Sequence, residues 1–217
     1  MINLAKKGER INLTKASEDS GVALKNGYVG SGWDIKRYDG SGYDIDLILF
    51  MLNKSGNCIS EDYFIAGAEK DDGEAYRKAD GSFYDHDPEE AVHHTGDNNT
   101  GAGDGDDEAV TIDFTKLNPE VDKIVCCVTM YEAHARHQTF GDVDNAYFRF
   151  VNPDTNQEWR YDLSEDYSSY TSVVGVELYK HQKPDGTTEW KMKATGEGYD
   201  KELDGLLDEY GLGYKRE

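Results

Sequence analysis

At 217 residues, with 37% hydrophobic and 12% aromatic side chains, the chain can bury one substantial core and fits a single domain. Its 44 acidic residues against 23 basic ones leave a net charge of −21, which repels phosphate backbones and anionic lipid and so argues against nucleic-acid and membrane partners. No apolar run approaches the ~20 residues of a membrane span, and MINLAKKGERINL at the N-terminus holds no apolar signal core, so a cytoplasmic protein is expected.

Runs of strand-forming residues, bounded by glycine and Asx clusters, recur at 27–33, 43–52, 109–114, 123–131, 146–151, 158–163, 172–179 and 189–194. That spacing, with turns such as PDG at 184–186, predicts a mainly β fold: an antiparallel sandwich. DIDLILFML and KIVCCVTMY are apolar on both faces and are expected as central strands, whereas 147–151 and 189–193 alternate, with one face wet. Leu203, Leu206, Leu207 and Tyr210 fall on one helical face, so a short C-terminal helix is predicted with Asp200 as its cap and Gly211 at its end. Trp33, Trp159 and Trp190 are expected in the core. Cys58, Cys126 and Cys127 are odd in number and lack a CxxC spacing, which suits reduced, half-buried thiols.

GSGWDI at 30–35 is echoed by GSGYDI at 40–45. If the strands on either side are neighbours, their connection brings Asp34, Asp39 and Asp44 to one end of the sheet. Asp44 and Asp46 lie two apart, so both carboxylates project from one strand face, where covering them would cost energy without a partner cation. Farther along, 69–92 is polar and turn-rich with no periodic apolar face, and is expected as a surface excursion on the single domain 1–217. Residues 69–108 carry fourteen acids against three bases, about half of the net charge.

The sharpest segment is HTGDNNTGAGDGDDE at 94–108. Five carboxylates, amide and hydroxyl oxygens and four glycines alternate there without a lysine or arginine. Calcium takes six to eight hard oxygens, about 2.3–2.6 Å away, and glycines let the backbone fold them around one ion. The spacing is not that of an EF-hand. His94 opens the run and is expected to order it by hydrogen bonding. His134 and His137 are read as surface or structural residues, and no phosphate loop or nucleophile elbow occurs.

GSGWD, YDIDL, HTGDNNTGAGDGDDE, FGDVDNAYFRFVNPDTNQEWRYDLSED and EWKMKATGEGY, in this order, resemble the tellurium-resistance TerD family of bacterial stress proteins over nearly the whole chain. The resemblance implies a cytoplasmic β-sandwich that binds Ca2+, as two ions, through its acidic loops, with no established catalytic activity and a link to tellurite and stress resistance. Carried over by motif, the implied ligands are Asp44, Asp46, Asp97, Asn98, Asp104, Asp106, Asp107 and Glu108. Thr100 and the intervening glycines, Gly103 among them, would add carbonyls, and Asp34 is a secondary candidate. The chain departs from the family pattern at 69–92. Protein partners, docking on the acidic surface, are the expected means of action; the oligomeric state stays open. Two other readings of the carboxylates remain: a metal-dependent hydrolase activating water, and a calcium-dependent carbohydrate-binding sandwich.

Overall fold

The computed structural model describes residues 2–35, 43–67, 78, 81–96, 105–163 and 166–213. The elements run β1 (Ile2–Leu4), β2 (Arg10–Asn12), α1 (Leu13–Asp19), β3 (Asn26–Ile35), β4 (Ile45–Leu52), β5 (Phe64–Ala66), β6 (Val92–His94), β7 (Glu108–Asp113) and β8 (Lys123–Met130). They continue with α2 (Ala133–Arg136), β9 (Val143–Asn152), β10 (Gln157–Asp162), β11 (Ser172–Gln182), β12 (Thr188–Tyr199) and α3 (Leu203–Glu209). Two six-stranded sheets form, ordered β1-β10-β9-β3-β7-β6 and β2-β12-β11-β8-β4-β5. Pairing is antiparallel except between β1 and β10.

The predicted strands are all present, and their positions follow from their patterns. Every residue of β4 is buried, as are all but the first of β8, and the two lie side by side in one sheet. Alternating strands such as β9 instead turn Phe148 and Phe150 inward and leave Tyr147 and Arg149 on the outer face. Phe148 crosses to the facing sheet and lies against Gly175, where any Cβ would collide with its ring. The register of β11 shifts at the same place, so this glycine is a packing requirement rather than a turn.

Three expectations need correcting. β3 and β4 are not neighbours: they belong to different sheets. The C-terminal helix starts at Leu203 after Glu202, and Asp200 accepts a hydrogen bond from His134 Nε2 at 2.9 Å instead of capping it. Part of the expected excursion is also built into the fold. The carbonyl of Tyr84 accepts from Ala66 N at 2.9 Å, the Tyr84 ring meets Phe64 edge-on, and Asp87, Ala91 and Val92 are buried. A single buried carboxylate and a few apolar contacts achieve this without a periodic apolar stripe.

The thiols are more deeply placed than expected. Cys126 and Cys127 are fully buried in β8, and burial pushes Cys58 up to about 12 and the other two higher still. Because the thiolate is the reactive form, the folded protein should resist a disulfide reagent such as Ellman's while releasing all three thiols in guanidinium. Rapid labelling of one thiol under native conditions would contradict this placement.

Candidate functional site

One end of the sandwich collects the C-terminal part of β3, the start of β4, the end of β6 and the start of β7. The register pairs Ser31 with Glu108 and Val110 with His94, so β6 ends and β7 begins at this end. The last two carboxylates of the acidic run and the first of β7 take three directions.

Glu108 points into the sandwich and is 2% exposed. β5 accompanies β4 only from Ile48 onward, so among the described residues the backbone of Leu47 meets no strand on that side. Two side chains take the place of one: Leu47 N donates to Glu108 Oε2 at 2.5 Å, and His94 Nε2 donates to Leu47 O at 3.1 Å. Gly96 N donates to His94 Nδ1 at 3.2 Å, which places the imidazole proton on Nε2. A buried N–H and C=O must be paired somewhere, and here a glutamate and a neutral histidine do it across the two sheets. His94 therefore orders this end by hydrogen bonding, as expected.

Asp106 turns to the outer face of its sheet. Arg149 Nε donates to both of its oxygens at 2.8 Å, and Arg149 Nη2 lies 2.7 Å from Oδ2. Tyr28 and Tyr147 hydroxyls donate to Oδ2 and Oδ1 at 2.7 and 2.8 Å. Burial, then the bond to Asp106, push Tyr28 up to about 12. The same carboxylate, opposed by partial burial, holds Arg149 firmly protonated. Gly30 makes room for this arrangement: a Cβ there would collide with the Asp106 carboxylate.

Asp107 remains at the end itself. Its N–H donates to Ser31 O at 2.9 Å, and its Oδ2 accepts from Trp33 N at 2.8 Å. Burial raises its carboxyl above the ordinary range; the Trp33 bond opposes this, while the negative charges of Asp34 and Asp106 add to it. Asp34 accepts from Asn145 Nδ2 at 2.7 Å. Asp46 is 6% exposed in β4, and Asp44 is half-buried just before that strand, its carbonyl accepting from Tyr131 N at 2.9 Å. Asp97, Asn98, Thr100, Gly103 and Asp104 lie outside the described residues, as does Asp39. Among the described residues, no group of three or more His, Cys, Asp or Glu is arranged to hold a metal.

Of the implied ligands, Asp34 and Asp107 lie near enough for their charges to interact, while Asp44 and Asp46 stand at the start of β4. Both His94 nitrogens are engaged, and the thiols of β8 are buried. Carboxylate oxygens are hard donors, of the kind calcium takes rather than a soft metal. Sequence reasoning missed Arg149, Tyr28, Tyr147 and Asn145, whose partners are far away in the chain. A signal existed in the GSG of 30–32, whose glycines stand in the middle of β3 beneath Asp106 and Tyr147.

The TerD domain model matches residues 1–210. The chain is 39% identical over 213 residues to general stress protein 16U of Bacillus subtilis, covering 97% of both chains. It is likewise 39% identical over 207 residues to tellurium resistance protein TerD of Serratia marcescens, covering 95% of each. A crystal structure of a homologue of telluride resistance protein (TerD) from Streptomyces coelicolor A3(2) shares the fold, with a TM-score of 0.57 at 19% identity over 85% of this chain and 95% of that one. The domain match across nearly all of the sequence and these relatives place the chain in the TerD family, among stress-response and tellurium-resistance proteins.

Proposed function

We propose that this chain is a calcium-binding, non-catalytic stress-response protein of the cytoplasm, acting through protein partners that dock on its acidic surface. The observation that carries this reading is the acidic run without lysine or arginine, whose Asp107 is held by Trp33 N within reach of the charge of Asp34. The Asp107 carboxyl is raised first by burial and then by the charges of Asp34 and Asp106. Asp44, Asp46 and Asp107 would hold calcium, two ions in all, with Asp97, Asn98, Thr100, Gly103 and Asp104, and Asp34 would be a secondary ligand; of the implied set, Asp106 and Glu108 are instead engaged by Arg149 and by Leu47 N. When bound, calcium supplies the positive charge that offsets repulsion among these carboxylates. The chain's own residues do the positioning: Trp33 N fixes one Asp107 oxygen, and β4 holds Asp46 in place. The names of the relatives mention stress and tellurium resistance and no reaction, which supports a binding rather than a catalytic role.

Protein stripped of metal and then titrated with calcium should show saturable heat of binding. An ion that binds only the folded state adds about 2.7 kcal/mol at a hundredfold excess over Kd. For a chain of this size, that is a melting rise of about 5–10 °C. Magnesium should do less, because it gives up its water reluctantly. Identical melting in calcium and in chelator would overturn the reading, and turnover of phosphoesters or glycosides in the presence of the ion would overturn its non-catalytic part.

A further inference from the structure

We propose that Arg149 is a positioning residue for the acidic loop, and that it holds Asp106 as the loop's anchor rather than leaving it as an ion ligand. The affinity part of this inference rests on the calcium reading; the anchoring part does not. The Asp106 carboxylate is surrounded by donors from two neighbouring strands. Its Oδ1 accepts from Arg149 Nε and Tyr147, and its Oδ2 accepts from Arg149 Nε and Tyr28, with Arg149 Nη2 also at 2.7 Å. A carboxylate offers about four lone-pair sites, so those in its plane are taken. The side chain is also only 4% exposed. A cation at about 2.3–2.6 Å would have to displace a guanidinium that is itself held by Glu158 at 2.9 Å.

The arrangement instead does something for its neighbours. Tyr147 hydroxyl reaches the carbonyl of Gly105 at 2.8 Å as well as Asp106, so β9 grips the chain at two consecutive residues where the acidic run returns to the sheet. With Asp106 fixed outward and Glu108 inward on Leu47, Asp107 is left facing the end of the sandwich, its N–H and carboxylate both tied to β3. The guanidinium also offsets the charge of Asp106, the residue next to Asp107. Loss of Arg149 would release the stem and leave an uncompensated negative charge beside a proposed ligand.

The two roles for Asp106 predict opposite signs. If Asp106 were a ligand, Arg149 would compete with calcium and Arg149→Gln would tighten binding. If it is the anchor, Arg149→Gln should weaken calcium binding about tenfold, as loss of a supporting outer partner typically does. Asp106→Asn should weaken it similarly, the double variant should be no worse than either, and Arg149→Lys should restore part of the loss. Ile124→Val, deep in the core, should lower melting without touching affinity, separating positioning from general destabilisation. Tighter binding by Arg149→Gln, or additive losses in the double variant, would overturn the proposal. The anchoring part is read without calcium, from amide hydrogen exchange at Trp33 and Asp107 in metal-free protein. Both amides should exchange at least about tenfold faster in Arg149→Gln and in Asp106→Asn than in wild type. Unchanged exchange would overturn it even if wild-type protein took up no calcium. Should Arg149→Gln not fold, Tyr28→Phe removes one hydroxyl from Asp106 and should give the same directions on a smaller scale, with unchanged exchange and affinity counting against the anchor.

Discussion

Glu108→Ala should lower stability by about 3–4 kcal/mol, the largest single effect expected among the acids of the run. Truncation removes the acceptor of Leu47 N–H in a place that water does not reach, and an orphaned buried donor costs about 1–3 kcal/mol. It also leaves a void beside His94, whose Nε2 lies 3.5 Å from the lost oxygen. In a chain of this length, each kcal/mol moves melting by about 2–4 °C, so a fall of roughly 6–16 °C in chelator is expected. Glu108→Gln keeps a carbonyl oxygen for Leu47 N–H and should cost only about 1 kcal/mol under the same conditions. The pair of variants separates two jobs that one carboxylate could hold. If Glu108 serves the β4 edge alone, the Glu108→Gln protein should gain as much melting temperature from calcium as wild type does. If it also reaches the ion, the gain should shrink while the chelator value stays near wild type. Melting of the Glu108→Ala variant within about 2 °C of wild type, less than 1 kcal/mol of change, would show that Leu47 does not depend on this side chain.

The strands that could be read in advance carried their evidence locally. β4 and β8 announced themselves as runs apolar on both faces, and a central position is what such runs require. The three-residue strands β1, β2, β5 and β6 had no such signal, because their existence depends on distant partners: Ile11 pairs with Met192, and Val92 with Ile112. α1 was missed for a related reason. It buries only Leu13 and Ser17, although the Asn12 side chain that accepts from Lys15 N is an ordinary sequence cap. At the site, composition located the acidic end but could not sort its members. Asp106, Asp107 and Glu108 are consecutive and chemically alike, and their divergence is set by Arg149 and Tyr28, 43 and 78 residues away, and by Leu47, 61 residues away. Charge density is a property of the sequence. The assignment of each charge is a property of the fold.

Asp87 gives the other large expected effect, and it tests the part of 69–92 that the structure draws into the core. Its side chain is 0% exposed, and Oδ1 accepts from Ala91 N at 2.8 Å and Val92 N at 2.7 Å, turning the chain into β6. Asp87→Ala orphans both donors and should cost about 3–5 kcal/mol. Replacing 81–90 with a Gly/Ser connector should do at least as much harm, whereas a solvated excursion would be removed almost silently. The acid also has a pH signature. Burial raises Asp87; the Val92 and Ala91 N–H bonds oppose this, and a hydrogen bond shared with Glu89 adds to it. Burial pushes Glu89 up as well, but bonds from Tyr63, Asn118 and Asp87 outweigh it and hold it below the ordinary range. The two carboxyls are thus pushed in opposite directions, Asp87 up and Glu89 down. A raised folded value means that the contribution of Asp87 is present below its unfolded value, near ~3.9, and is lost as pH rises through the raised one. For Glu89 the sign reverses: its contribution is present above its unfolded value, near ~4.3, and is lost as pH falls through the lowered one. Asp87→Asn is the informative variant, because its amide can donate to Glu89 permanently while its carbonyl still accepts from Ala91 and Val92. Its melting temperature relative to wild type should therefore rise as pH is raised from about 4. Melting curves of the two proteins that stay parallel with pH would show that Asp87 carries no proton, leaving its burial to be balanced by the two backbone bonds alone.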